Sequence, residues 1–263
     1  MATQLTYRQN PPVQDLYRAF MTGFSDYIIP FQFDEQTFED VFLVRDQNQP
    51  SRSIVAYDGE EPVGVVLSGI AYLDSGWQTR CGGLAVAPHA RKLGVATELM
   101  QRFEEDAKGT RLLEVIQGND AALSLYQQLD YKATREIYYF QAVPLETTAH
   151  MTSEPIQTLF DQLYPTAQHV PIWQRDVRVT QQEAELVKVV ENKQEGFLLY
   201  RDHVLLDVFG HAEDAEWLLR AAASRSPLHL TLTSDRPEWI DAAQRLGFVQ
   251  DDISQFEMVK EER

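Results

Sequence analysis

The segment from Cys81 to Ile116 restricts the fold more than any other stretch of the chain. It reads CGGLAVA, then PHARKLG, then VATELMQRFEEDAK, then GTRLLEVI. The apolar runs ending at Ala87 and Ile116 fit buried strands. Between them Val95, Leu99 and Phe103 fall on one side of a helix over residues 95–108, with Gly109 as its stop. Two buried strands joined by one helix read as parallel neighbours in a sheet.

The rest of the first half extends this pattern. Residues 3–9 read as a first strand. PPVQDLYRAFMTGF opens with proline, as a helix start can, and places Val13, Leu16, Tyr17, Phe20, Met21 and Phe24 on one face. Pro30 breaks that helix. Asp34 reads as the N-cap of a second helix, DEQTFEDVFLV, with Phe38, Val41 and Phe42 turned inward. SIVAYDGEEPVGVVLSGIAYL reads as two strands around the turn DGEEP. After RLLEVIQGN come a helix, DAALSLYQQLDY, and a strand, REIYYFQAV. The expected fold class is α/β with a mixed sheet (α+β mixed), in about 145 residues.

The remaining residues carry an echo of this arrangement. LLEVIQGNDAALSLYQQLDYKATREIYYFQ lies beside LHLTLTSDRPEWIDAAQRLGFVQDDISQFEM at an offset of 117, so Leu129 meets Leu246, Tyr131 meets Phe248 and Tyr139 meets Phe256. VLLDVFG and EDAEWLLRAAAS repeat the preceding strand and helix. The expected organisation is two related units, 1–144 and 145–263, the second a diverged copy.

Composition narrows the function. The chain has 263 residues, with 40 Asp+Glu against 23 Lys+Arg, a formal charge of −17. Such a balance argues against a nucleic-acid backbone as the partner. It suits solubility first, and is compatible with a cationic amine. No apolar run is long enough for a membrane span, and MATQLTYRQNPP does not read as a secretory signal. A single cysteine, Cys81, allows no intrachain disulfide, and these features together predict the cytoplasm. The histidines show no metal-ligand spacing, and G-x-x-x-x-G-K-S/T, G-x-G-x-x-G and G-x-S-x-G are all absent.

Against this acidic background Arg91, Lys92, Leu93, Gly94, Val95 and Ala96 stand out. A strand that turns into a helix presents free backbone N–H groups and the positive end of the helix dipole, enough to hold a pyrophosphate. Gly94 lets a ligand approach the backbone, and Ala96 lets the helix sit close. The segment resembles the acetyl-CoA signature of the GNAT superfamily of N-acetyltransferases, R/Q-x-x-G-x-G/A. Around it stand Leu84 and Val86 in the family's L-x-V strand, then Ala87-Pro88. Asn119 to Tyr126 is similar to the family's N-x-x-A-x-x-L-Y segment. Asp130-Tyr131 departs from the usual Gly-Phe, which the second copy keeps as Gly247-Phe248.

The resemblance covers residues 1–143 and implies a GNAT-like N-acyltransferase fold. It implies acetyl-CoA as cosubstrate and direct transfer of the acetyl group to an amine. Leu84, Ala85 and Val86 would pair with or polarise the pantetheine arm and thioester. Arg91 to Ala96 would hold the pyrophosphate, Asn119 the CoA arm, and Tyr126 would protonate the departing sulfur. For the base, Glu114 is the first candidate and Asp26 the second, with water as the third. Phe24, Asp26 and Tyr27, with Ser25, Pro30 and Tyr72 near them, would form the acceptor pocket. Cys81 reads as core packing.

The second copy fails the same requirements, since Tyr126 falls on Ala243 and Asn119 on Arg236. Only His211 to Asp214 join its strand and helix. It is expected to bind no CoA, and to complete the acceptor pocket, cover the first unit or mimic a dimer. The chain is expected to act as a monomer or homodimer. A non-catalytic CoA-binding module and a transferase for longer acyl groups are the alternatives.

Overall fold

The computed structural model of the chain describes residues 5–180 and 183–262. Its N-terminal half runs β1 (Leu5–Gln9), α1 (Val13–Gly23), α2 (Glu35–Phe38), β2 (Ile54–Asp58), β3 (Glu61–Leu73), β4 (Gly76–Val86), α3 (Val95–Asp106), β5 (Thr110–Ile116), α4 (Asp120–Gln128) and β6 (Lys132–Ala142). The C-terminal half runs β7 (His150–Glu154), α5 (Val177–Thr180), β8 (Glu185–Glu191), β9 (Gln194–Arg201), β10 (Val204–Phe209), α6 (Ala215–Ala223), β11 (Leu228–Thr233), α7 (Pro237–Arg245) and β12 (Val249–Lys260). Of the stretch read as a first strand, residues 3 and 4 lie outside the described range.

The expected mixed α/β fold is present, with β4 and β5 parallel neighbours from Gln78↔Thr110 to Cys81↔Leu113. Alternation along the strands covers both faces of the sheet. Ile54 and Ala56 pack with Val95, Leu99, Phe103 and Tyr126 on one face, while Val55 and Tyr57 pack with Leu16, Phe20 and Phe38 on the other. Asp34 caps α2 through Thr37 N, as read, but the expected long helix continues from Phe38 as a π-helix over Glu39–Arg45. Phe38 and Phe42 both reach the Phe20 ring, at 5.3 and 4.6 Å between centroids. Val41 stays half-exposed and outside that cluster.

The twelve strands form one sheet in the order β1-β2-β3-β4-β5-β12-β6-β11-β10-β9-β8-β7. The last strand of each half is exchanged. β12 lies between β5 and β6, and β6 lies between β12 and β11. The pairs Tyr138↔Ser254 and Ile137↔Gln255 map onto each other under the 117-residue offset, so a pseudo-dyad passes between β6 and β12. The two aromatic-ended turns also match. Asp130 and Gly247 both have positive φ, +68° and +76°. Tyr131 N bonds Tyr126 O just as Phe248 N bonds Ala243 O, each at 3.0 Å. The missing glycine therefore does not displace the end of α4.

Among the described residues no helix is long and apolar enough to cross a membrane, and no group of three or more His, Cys, Asp or Glu side chains is arranged to hold a metal ion.

Candidate active site

The site begins where β4 and β5 part. Their pairing stops at Cys81↔Leu113, while β3 follows β4 on to Gly64↔Val86. Gly82 to Val86 therefore keep one backbone edge facing an open cleft. A cavity of about 510 Å³ fills this cleft, lined by Leu84, Ala85, Val86, Arg91 and Ala96 on one side. Asn119, Ala122, Leu125 and Tyr126 line the other side, with Phe24, Asp26 and Tyr27 at the rim.

At one end of the cleft α3 starts at Gly94, in the left-handed region (φ +81°), with no side-chain cap on its N-terminus. A side chain on Gly94 would meet no neighbour, but that backbone conformation favours glycine. The first N–H groups of a twelve-residue helix are thus left for an anion. Lys92 and Leu93 are exposed on the loop before it, and Val95 is buried beneath it.

Arg91 lies on the same loop but its guanidinium is engaged. It donates to both Asp26 carboxylate oxygens (2.6 and 2.8 Å), to Gly23 O (3.2 Å) and to Val86 O (3.1 Å). These bonds tie the end of α1 to the loop. The hydrogen bond from Arg91 holds the Asp26 carboxyl below its usual range. Asp26 is thus an anchor for Arg91 at the rim.

On α4, Asn119 serves as the N-cap, its side-chain oxygen accepting from Ala122 N at 3.2 Å. Tyr27 lines the same cavity, and burial raises its hydroxyl pKa. Tyr126 is 6% exposed, and burial raises its hydroxyl pKa well above the usual value. The phenol is a protonated donor throughout the neutral range. Burial likewise pushes the Cys81 thiol up to about 12, as expected of a packing residue.

A second, smaller cavity of about 190 Å³ lies on the α1 side of the parting and shares Phe24, Tyr27, Leu84, Asn119, Ala122 and Tyr126 with the first. Phe20, Phe31 and Phe42 complete its aromatic wall. Glu114 is on its floor, but both carboxylate oxygens receive bonds from Arg80, at 2.7–3.1 Å, and both side chains are buried. Arg80 was not singled out from sequence, although a signal existed: Arg80 and Glu114 are charges inside apolar strand runs, and such charges need partners. Gln174 and Gln255, from the C-terminal half, also line this cavity. Their part depends on the exchanged β12 and a non-repetitive segment, for which no motif gave a signal. Tyr72 stands elsewhere, exposed and packed edge-on against Trp77 at 5.2 Å near the β3–β4 turn.

The corresponding cleft of the C-terminal half is built differently. β10 and β11 also part early, after Leu205↔Leu230. Arg236, the offset partner of Asn119, reaches Asp207 (3.2 Å) and takes the Val208 carbonyl (3.0 Å), occupying the strand edge. His169 holds the same buried Asp207 at 2.7 Å. Asp214 is buried at the start of α6 and accepts from Gln194 and Trp217. A fixed carboxylate there opposes a second anion. Ala243, the partner of Tyr126, is fully buried in the α6–α7 core.

A parted strand pair with an uncapped, glycine-led helix at one end and a buried tyrosine on the facing helix is the arrangement that the resemblance to the GNAT acetyltransferases implies. Residues 11–131 match the model of the Acetyltransferase (GNAT) family. The match lies wholly within the N-terminal half, which carries the family's domain, and GNAT enzymes use acetyl-CoA.

Solved structures extend the fold likeness to the full length. A protein from Pyrococcus horikoshii aligns over 99% of this chain and 89% of its own, at 16% identity and a TM-score of 0.68. A GCN5-related N-acetyltransferase from Sphaerobacter thermophilus aligns over 98% and 95%, at 16% identity and a TM-score of 0.62. A tandem GNAT protein from the clavulanic acid biosynthesis pathway aligns over 98% of each chain, at 10% identity and a TM-score of 0.62. The fold is therefore that of tandem GNAT-like halves. No curated protein sequence matches the chain significantly.

Proposed function

We propose that the chain is an N-acetyltransferase that moves the acetyl group of acetyl-CoA to a primary amine of a small molecule or peptide, by direct attack in a ternary complex. The observation that carries this reading is the meeting of two cavities at Tyr126. The larger cavity has the open strand edge and the anion-ready helix that a pantetheine and pyrophosphate require. The smaller one offers an aromatic-walled place for the amine.

In this reading Leu84 and Val86 pair through their backbones with the pantetheine arm, as an added strand would. A backbone N–H at Ala85 polarises the thioester carbonyl. Gly94, Val95 and Ala96 bind the pyrophosphate through main-chain N–H groups, with Lys92 and Leu93 shaping the loop and Arg91 bracing it. Asn119 sets the start of α4 and meets the CoA arm. The neutral amine attacks the thioester carbon, the tetrahedral intermediate collapses, and the Tyr126 hydroxyl gives its proton to the departing sulfur. Glu114 forms the floor of the acceptor cavity. Its lone pairs are committed to Arg80, so we assign removal of the amine proton to water. Phe24 and Tyr27 position the acceptor, and Asp26 holds Arg91.

We further propose that residues 1–144 and 145–263 are two copies by descent but one unit in folding, since each half's final strand sits inside the other's sheet. The C-terminal copy binds no CoA. The function is tested by following thiol release from acetyl-CoA over an amine panel with wild type and Tyr126→Phe. Amine-dependent release that the variant loses, at unchanged acetyl-CoA affinity, supports it. Binding of acetyl-CoA without release for any amine would leave a non-catalytic CoA module.

A further inference from the structure

We propose that the acceptor is a primary monoamine whose body is a single uncharged aromatic ring, seated in the small cavity against Phe24, Phe31 and Phe42. The proposal rests on the N-acetyltransferase reading above. Six of the chain's 13 phenylalanines lie from residue 20 to residue 42. Phe20 and Phe38 serve the core, at 1% and 0% exposed. Phe24, Phe31 and Phe42 pack on the Phe20 ring at 4.6, 5.4 and 4.6 Å between centroids, yet all three stay partly exposed and line the cavity. Ring surface left open in this way forgoes burial that a core cluster would complete.

Leu84, Asn119, Ala122 and Tyr126 line both cavities, so the attacking nitrogen belongs at that end. Ile29, Phe31 and Phe42 line the small cavity alone and take the part of the acceptor that does not react. Phe24 and Phe31 stand edge to face, at 71° and 5.3 Å, the packing that aromatic rings prefer among themselves. A further ring joins such a cluster on the same terms. The cavity holds about 190 Å³. An apolar cavity of about 150 Å³ takes up one benzene ring. The space therefore suits one ring with a short arm, and not a fused pair.

The cavity offers nothing to a second charge. Among the described residues, the charged side chains of its lining are Asp46, Arg80 and Glu114. Arg80 and Glu114 are each 4% exposed and pair at 2.7 Å. Asp46 is 6% exposed and held by Arg45 at 2.7 Å. A second ammonium or a carboxylate on the acceptor would lose its water here without gaining an ion partner. The same feature disfavours polyamines and free amino acids.

The test follows thiol release from acetyl-CoA with phenethylamine, hexylamine, free phenylalanine, para-xylylenediamine and naphthylethylamine, using wild type and Phe31→Ala. For wild type, kcat/KM with phenethylamine is expected to exceed that of the acid, the diamine and the two-ring amine by about tenfold or more. It should exceed that of hexylamine by about threefold. Phe31→Ala widens the ring pocket, so the ratio of naphthylethylamine to phenethylamine should rise about tenfold through KM, with the acetyl-CoA Kd retained. A merely structural Phe31 would lower all the amines alike. Equal wild-type rates, a lead for any other amine, or a ratio unmoved in a folded Phe31→Ala overturns the proposal. Should Phe31→Ala not fold, the wild-type ranking decides alone. Release with another amine but not with phenethylamine overturns the proposal and leaves the N-acetyltransferase reading standing, whereas release with no amine removes both.

Discussion

In the N-terminal half eight residues, 87–94, join β4 to α3; in the C-terminal half five, 210–214, join β10 to α6. That difference accompanies others. The long connection holds Gly94 in a left-handed turn and leaves the helix start uncapped, whereas the short one sets the buried Asp214 at the helix start. The N-terminal strand edge is open beyond Cys81, while its counterpart is bonded by Arg236. The same strand–helix–strand frame thus leads in one copy to an uncapped helix start beside an open strand edge. In the other it leads to an internal ion cluster. The comparison teaches that the frame supplies positions and that a few loop and cap residues decide what those positions bind.

The largest effect expected from breaking the comparison comes from separating the halves. A chain ending at residue 248 loses β12, the strand between β5 and β6. It should show no cooperative thermal unfolding as a monomer, or should associate through the exposed edges. A monomeric, cooperatively folded product in sedimentation and melting experiments would contradict the single-unit account.

Tyr126→Phe is next. It should lower kcat about 100-fold or more while leaving the acetyl-CoA Kd within about twofold. Because burial raises the phenol pKa well above 10.0, the wild-type rate should climb as the acceptor amine deprotonates and show no descending limb below pH 10.0. A limb in that range that disappears in the variant would mean that Tyr126 ionises there.

Arg236→Asn restores the residue type of the first cleft to the second. It should cost about 3 kcal/mol of stability by leaving Asp207 short of one partner, and should create no CoA site. Against the desolvation of full burial, His169 and Arg236 hold the Asp207 carboxyl below its ordinary 3.8. The stability linked to that lowered value is present above pH 3.8 and lost as pH falls through the folded value. The acid unfolding midpoint of Arg236→Asn should therefore move to higher pH. The smallest effect is expected from Asp130→Gly, which gives the first turn the residue of the second and should raise stability by about 1 kcal/mol, read as a higher Tm.

Much of the fold was legible because local patterns and global packing agree. The alternation in IVAYD, the helical spacing of Val95, Leu99 and Phe103, and the repeat around Leu129 and Leu246 all point to elements that are present. The strand exchange was not legible, because β6 and β12 read the same whichever half they join. Residues 39–45 were misread because a π-helix keeps nearly the periodicity of an α-helix while widening the turn beneath the aromatic cluster. For the site, the loop at Gly94 and the tyrosine at 126 were visible as motif positions that the fold brings to one cleft. The commitments of Glu114 to Arg80 and of Asp26 to Arg91 were not, since each partner lies 34 or 65 residues away. Gln174 and Gln255 were invisible for a similar reason: their place in the cavity is made by contact between the halves.

The central claim is that one cleft of the two binds acetyl-CoA. It is tested most directly by calorimetric titration of wild type, Gly94→Glu and Ala212→Glu, the last placing the same side chain on the C-terminal loop. The account predicts one site per chain in wild type and Ala212→Glu, and loss of binding in a folded Gly94→Glu. Two sites per chain, or one site lost with Ala212→Glu and kept with Gly94→Glu, would contradict it.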